Sequence, residues 1–194
     1  ANGATMKPAY FFSMMVGAFL WTVPAMAGDG TALDPALTIG GEGPSDRQVE
    51  LQRLFDRAAQ SSRKVHLPAG VYRHSGVLYA RGIEIYGDGN STVLQGMTHD
   101  QSAVVLTGRG AKISKVMFRF KSTTRSVFDP SAEIFVKDAE DFEVRQIEIE
   151  GGDSAGVLVR ASHNGVIADN YVHNTLADSI HVTGGSSDIV IHDN

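Results

Sequence analysis

Ile134-Phe135-Val136, Val157-Leu158-Val159 and Ile180-His181-Val182 are three apolar triplets that follow one another at steps of 23 and 23 residues. Their partners keep the same step. Asp141, Asn164 and Asp188 precede Phe142-Glu143-Val144, Gly165-Val166-Ile167 and Ile189-Val190-Ile191 at spacings of 23 and 24, and Asp169-Asn170 returns as Asp193-Asn194 after 24. A unit of this length, made of two or three short strands, cannot bury its apolar side alone; coils stacked into a solenoid bury one continuous core. Successive coils lie about 4.8 Å apart, the spacing of strands in a sheet, so equal positions stack directly. Asn170 should therefore meet Asn194 in an amide ladder at a turn. A β-sandwich also alternates short strands with Gly-rich turns, but nothing in it requires a sustained 23-residue register. The expected fold is all-β, a single-stranded parallel β-helix.

Upstream of the repeat, Val65-His66-Leu67, Gly70-Val71-Tyr72, Val77-Leu78-Tyr79 and Ile83-Glu84-Ile85-Tyr86 are strand-like runs bounded by Gly, Pro or Asp. Strands continue through Val104 to Leu106, Ile113 to Phe120, Phe142 to Ile149, Val166 to Tyr171 and Ile189 to Ile191. Before them the period is helical: Leu51, Leu54, Phe55 and Ala58 share one face, and Ser45-Asp46-Arg47-Gln48 has capping-box spacing. This predicts a helix over about 46–60. An open solenoid end is a row of unpaired strand groups, and this helix is placed to cover the N-terminal one. Asn194 falls within a coil, so the β-helix domain, 45–194, is expected to be incomplete at its C-terminus and prone to aggregate there.

Lys7, the apolar run from Ala9 to Val23, Pro24 and Ala25-Met26-Ala27 have the charged, apolar and small-residue parts of a secretory signal peptide. The run is shorter than the roughly 20 residues that span a bilayer, so no membrane anchor is expected after cleavage. Residues 6–27 are read as the signal, 1–5 as an extraneous or misassigned start, and 28–44 as an extended lead-in. The mature chain is expected in the periplasm or outside the cell. Its lack of cysteine excludes disulfides and thiolate chemistry. A formal net charge of -5 without a basic block excludes nucleic acid as an obvious partner.

The segment from Asp46 to Gly96, with Ala58-Ala59, Val65-His66-Leu67-Pro68-Ala69-Gly70-Val71-Tyr72, Ile83-Glu84-Ile85-Tyr86-Gly87-Asp88-Gly89 and Thr92-Val93-Leu94, resembles the opening of the pectate-lyase-like superfamily. That resemblance implies a right-handed β-helix. Its members include polygalacturonases, pectate and alginate lyases, uronan epimerases and phage tailspikes. Asn174-Thr175-Leu176-Ala177-Asp178-Ser179-Ile180-His181-Val182, followed by Ser186 to Asn194, is similar to a polygalacturonase stretch. The similarity implies that Asp178 is a catalytic aspartate, with a Gly-Asp-Asp expected just after Asn194. The stretch departs from that pattern by two extra residues before Asp178, by Ser179 in place of Gly, and by His181 where Asp is common. The implied partner is a polysaccharide, with uronate among the candidates.

Inverting glycoside hydrolysis needs two carboxylates about 6.5–9.5 Å apart, a separation that adjacent coils can supply. Asp178 is one; its alternative role is a turn aspartate. His181 alternates with Ile180 and Val182 and so points outward if they point in, beside Asp178, as a candidate base. His173 is the other flanking histidine, equally readable as a turn residue. Asp153, one coil below, is a candidate substrate contact or a loop residue after Gly151-Gly152. Arg160 is placed to meet a sugar carboxylate, or simply water. A lyase or epimerase would abstract the C5 proton of a uronate with Arg, Lys, His or Ca²⁺ in support; no acidic cluster in the sequence makes a convincing Ca²⁺ site, and no other cofactor is expected. The leading expectation is polysaccharide hydrolysis, followed by lyase or epimerase action. A non-catalytic glycan-binding, adhesin or tailspike-type β-helix is the alternative of a different class.

Overall fold

A computed structural model describes residues 36–40, 45–128 and 131–194 of the chain. The segment 6–27 read as a signal peptide, residues 1–5 and most of the 28–44 lead-in lie outside the described residues. No helix among the described residues is long and apolar enough to cross a membrane. The rest forms a parallel solenoid of about 6 turns with one helix.

Three faces run along the solenoid, each a ladder of parallel strands. The first stacks Leu78–Arg81, Val104–Arg109, Ala132–Glu140, Ala155–Arg160 and Ile180–Thr183. Here Leu78, Val104, Ile134, Val157 and Ile180 lie in one register column and point into the core. The column Val136, Val159, Val182 is the 23-residue repeat made physical. On the second face Val65, Ile85, Ile113, Val144, Ile167 and Ile191 are stacked. On the third, Tyr72, Leu94, Phe118, Ile149 and Val172 are. Like residues over like residues leave few voids, which is how coils too small to fold alone share one core.

The corners explain the polar half of the repeat. Asp141, Asn164 and Asp188 have φ of 55, 54 and 57°, and Gln146, Asp169 and Asp193 have 53, 59 and 54°. The left-handed region is costly for most side chains but accessible to Asp and Asn, whose short polar groups bond locally. The expected continuous strands Phe142 to Ile149 and Val166 to Tyr171 are each broken at such a corner, Gln146 and Asp169. The amide ladder forms: Asn170 Nδ2 donates to Asn194 Oδ1 at 2.7 Å and to the Val144 carbonyl at 3.1 Å, while its Oδ1 accepts the Ile147 N–H at 2.9 Å.

The helix runs Gln48–Ser61 and buries Leu51, Leu54, Phe55 and Ala58 against the first coils. The expected capping box does not form. Arg47 occupies the N-cap without a side-chain cap, and Asp46 Oδ1 accepts the Gln48 N–H at 2.9 Å. Gln48 is drawn away because its amide bonds the strand edge, accepting the Gly76 N–H at 3.1 Å and donating to the Val77 carbonyl at 2.8 Å.

Candidate functional site

Alternation along the first face turns Leu158 and Arg160 outward on either side of the inward Val159, and His181 and Thr183 outward on either side of Val182. Val105, Phe135, Leu158 and His181 share one column, so the outer floor is apolar at its centre. The Arg160 guanidinium lies 5.9 Å above the Phe135 ring. Residues 125–128 stand beside this floor as a wall. Together they enclose a groove of about 460 Å³ lined by Arg125, Phe128, Leu158, Arg160, Asp178 and His181, among others. A second hollow of about 260 Å³ follows on the same face, over Tyr79, Val105, Phe135 and Lys137.

Asp178 is held by its backbone to the coil below. Its carbonyl accepts the Gly156 N–H at 3.0 Å, and the Ser179 carbonyl accepts that of Val157 at 2.9 Å. Its carboxylate reaches His181, with Nδ1 2.6 Å from Oδ2. An ionised carboxylate only accepts, so the network assigns the Nδ1 proton to His181 and leaves Nε2 as the atom available to a bound molecule. Both side chains are half exposed at the groove edge, within reach of solvent and substrate alike.

The other candidates fall elsewhere. His173 ends the third-face strand Tyr171–His173, where its ring stacks on Tyr171 at 4.4 Å and its Nε2 lies 3.2 Å from Glu148 Oε1. The left-handed corner at Asn174 turns the chain between it and Asp178, so sequence proximity does not become proximity in space. Asp153 is buried beneath the wall rather than lining the groove. Its carboxylate accepts the Ser131 hydroxyl at 2.9 Å and the Asp100 N–H at 2.7 Å, and its carbonyl accepts the Ser126 N–H at 2.6 Å. Among the described residues no group of three or more His, Asp or Glu is placed to hold a metal ion.

Sequence reasoning missed the wall, including Arg125, Ser126 and Phe128, because a loop without periodicity carries no signal of where it folds. It also missed Glu133, although a lone acid ahead of Ile134-Phe135-Val136 is a visible irregularity. Burial, reinforced by the nearby Asp153 charge, pushes the Glu133 carboxyl up to about 8.

Among solved structures the chain resembles ORF18 of Geobacillus virus E2, with a TM-score of 0.64 at 13% identity over 78% of this chain and 34% of that one. It thus spans about a third of that protein's length. A candidate glycosyl hydrolase from Parabacteroides merdae superposes with a TM-score of 0.59 at 10% identity, covering 81% of this chain and 93% of that one. At these identities the likeness shows the fold alone. No curated protein matches the sequence. The model described as the right-handed beta helix region matches residues 77–194, more than half of the chain and the part in which the stacked faces and the groove lie, so the chain belongs to the right-handed β-helix family.

Proposed function

We propose that this protein is a carbohydrate-active enzyme that cleaves a polysaccharide laid along the groove of the first face. The observation that carries the reading is the Asp178–His181 pair, 2.6 Å apart, in a groove that also presents Arg160 and Arg125. A carboxylate on Nδ1 orients an imidazole and strengthens Nε2 as a proton acceptor, the arrangement of a general base. An arginine on the same floor can neutralise a sugar carboxylate, which makes the adjacent C–H more acidic. Base and cation together meet the needs of β-elimination from a uronate polymer: His181 Nε2 takes the C5 proton, the electron pair forms the C4–C5 double bond, and the glycosidic oxygen leaves.

Hydrolysis is the second reading, favoured by the similarity of Asn174 to Val182 to a polygalacturonase stretch. It requires a second carboxylate about 6.5–9.5 Å from the first, and Asp178 is the single carboxylate among the described residues lining the groove. The Leu158 side chain on the groove floor and the exposed Phe128 ring suit the flat faces of sugar rings in either case.

The test is a panel of neutral and uronate polysaccharides assayed in parallel for new reducing ends and for ultraviolet absorbance of unsaturated product. Elimination yields both signals and hydrolysis only the first. Asp178→Asn and His181→Gln are each expected to lower turnover at least about 100-fold, the scale of a lost general base. Full turnover in either folded variant would remove the pair from the reaction. A chain that binds a polysaccharide without producing either signal would be a glycan-binding β-helix.

A further inference from the structure

Two buried titratable side chains take no part in the groove chemistry. Glu133, at the start of a first-face strand, and His74, at the end of a third-face strand, are 5% and 0% exposed. Both line one cavity of about 10 Å³, with Thr98, Gln101, Ser102 and Phe120 around it. His74 Nε2 and Glu133 Oε2 are buried without a hydrogen-bond partner. Buried polar atoms rarely stay unpaired, and two in one cavity point to a shared purpose.

The protonation of each follows from its surroundings. His74 Nδ1 lies 2.8 Å from the Gly76 carbonyl, which can only accept, so Nδ1 carries the proton and Nε2 turns a lone pair to the cavity. Burial lowers the His74 pKa from its ordinary 6.5, against the opposing pull of Gly76 and Asp46, and keeps the ring neutral. Glu133, raised to about 8 by burial and then by Asp153, is a carboxylic acid at neutral pH. One group has a proton to give and the other a lone pair to receive it. The space between them is about that of one water, for which roughly 10–15 Å³ suffices.

Glu133 also packs at the root of the groove wall. A Cβ on Gly152 would lie 3.3 Å from Glu133 Oε1, and the next residue is Asp153. Asp153 joins Ser126, Ser131 and Asp100, and Ser126 Oγ in turn donates to Asp100 Oδ1 at 2.8 Å. The titratable groups facing the pair are Asp153, with His99 at 3.4 Å and Asp100 bonded to it, on the wall side, and Asp46 ahead of the helix on the His74 side.

We propose that Glu133 and His74 hold one proton in this cavity and that its loss as pH rises loosens the groove wall by setting a second carboxylate against Asp153. The idea rests on the cavity and the wall contacts and stands whatever reaction the groove performs. The direction follows from linkage. Glu133, raised in the folded protein, contributes stability that is complete below its ordinary 4.5 and lost as pH rises through about 8. His74, lowered, contributes stability that is present above 6.5 and lost as pH falls. Above 6.5 only the Glu133 contribution still changes, so the wall weakens toward pH 8.

Carboxyl-carbon NMR of the glutamate-labelled 194-residue chain, followed from about pH 5 to about pH 10, reads the proton directly, and amide exchange at Asp100 and Ser126 reads the wall. One glutamate resonance is expected to titrate near pH 8, and exchange at both amides is expected to exceed its ordinary pH dependence with the same midpoint. In Glu133→Gln the resonance and the excess exchange should both disappear. A Glu133 titration in the ordinary carboxylate range, separate midpoints for carboxyl and wall, or excess exchange that persists in Glu133→Gln would each overturn the proposal. Should Glu133→Gln not fold, the two wild-type midpoints decide alone.

Discussion

Gln52 bonds both backbone groups of a single residue, Tyr79: its Oε1 accepts the Tyr79 N–H at 2.8 Å and its Nε2 donates to the Tyr79 carbonyl at 3.1 Å. One turn earlier Gln48 does the same for Gly76 and Val77. The helix thus acts as a substitute strand. Its apolar side closes the core while two side-chain amides bond an edge that would otherwise be free to pair with another chain.

Gln52→Leu keeps helix propensity and bulk but removes both edge bonds. Because Tyr79 is partly exposed, water recovers some of the loss, and the expected cost is about 1–2 kcal/mol. For a chain of this size that is a fall in Tm of roughly 2–8 °C, read by circular dichroism. The exposed edge should also self-associate on heating. An unchanged Tm would mean that apolar packing of the helix alone caps the end.

Asn170→Ala should cost more, about 2–3 kcal/mol, because it leaves the Ile147 N–H without its acceptor at a buried corner and takes the side-chain donor from the Val144 carbonyl. Asn194→Ala removes bonds at an exposed position and should cost less than about 1 kcal/mol. Urea midpoints of the two variants should differ in that order, and equal midpoints would refute the ladder as a support of the corner.

At Gly165 an added Cβ would lie 2.0–2.6 Å from the Phe142 ring. The coil above rests directly on that ring. Gly165→Ala is expected to destabilise by about 1–3 kcal/mol through overpacking. Phe142→Leu in the same chain should recover part of it, so that the double variant loses less than the sum of the singles. Simple additivity would show that the two residues do not press on each other.

Asp153→Ala removes the acceptor shared by Ser131 and Asp100 at the foot of the wall. The expected result is faster tryptic cleavage after Arg125, with little change at arginines on the stacked faces. The cleavage rate at Arg125 relative to Arg81 is the measurement, and a constant ratio would leave the wall standing without Asp153.

His181 and Phe142 show why so much of the fold was legible in the residues. In a solenoid each position touches the equivalent position one coil away, so a spacing of 23 residues along the chain is a contact in space. Periodicity alone therefore assigned the stacked valines, the Asn170–Asn194 ladder and the outward aim of His181 beside Asp178, though not the corners at Gln146 and Asp169 that break the expected strands. The helix was equally readable from its apolar face, though not from its cap, because Gln48 answers to a strand edge 28 residues away.

What the tertiary structure decided lies off the repeat. Asp153 became the anchor of a wall, and His173 went to another face, because a corner and an aperiodic loop set their surroundings. The groove needs residues 125–128 beside the first face, and no local rule of sequence says where such a loop comes to rest. Glu133 is the sharpest case. Its charge state depends on the absence of water and the presence of Asp153, both properties of the packed molecule, so the sequence determined the scaffold and its lines of contact while only folding in three dimensions made a groove and a buried proton.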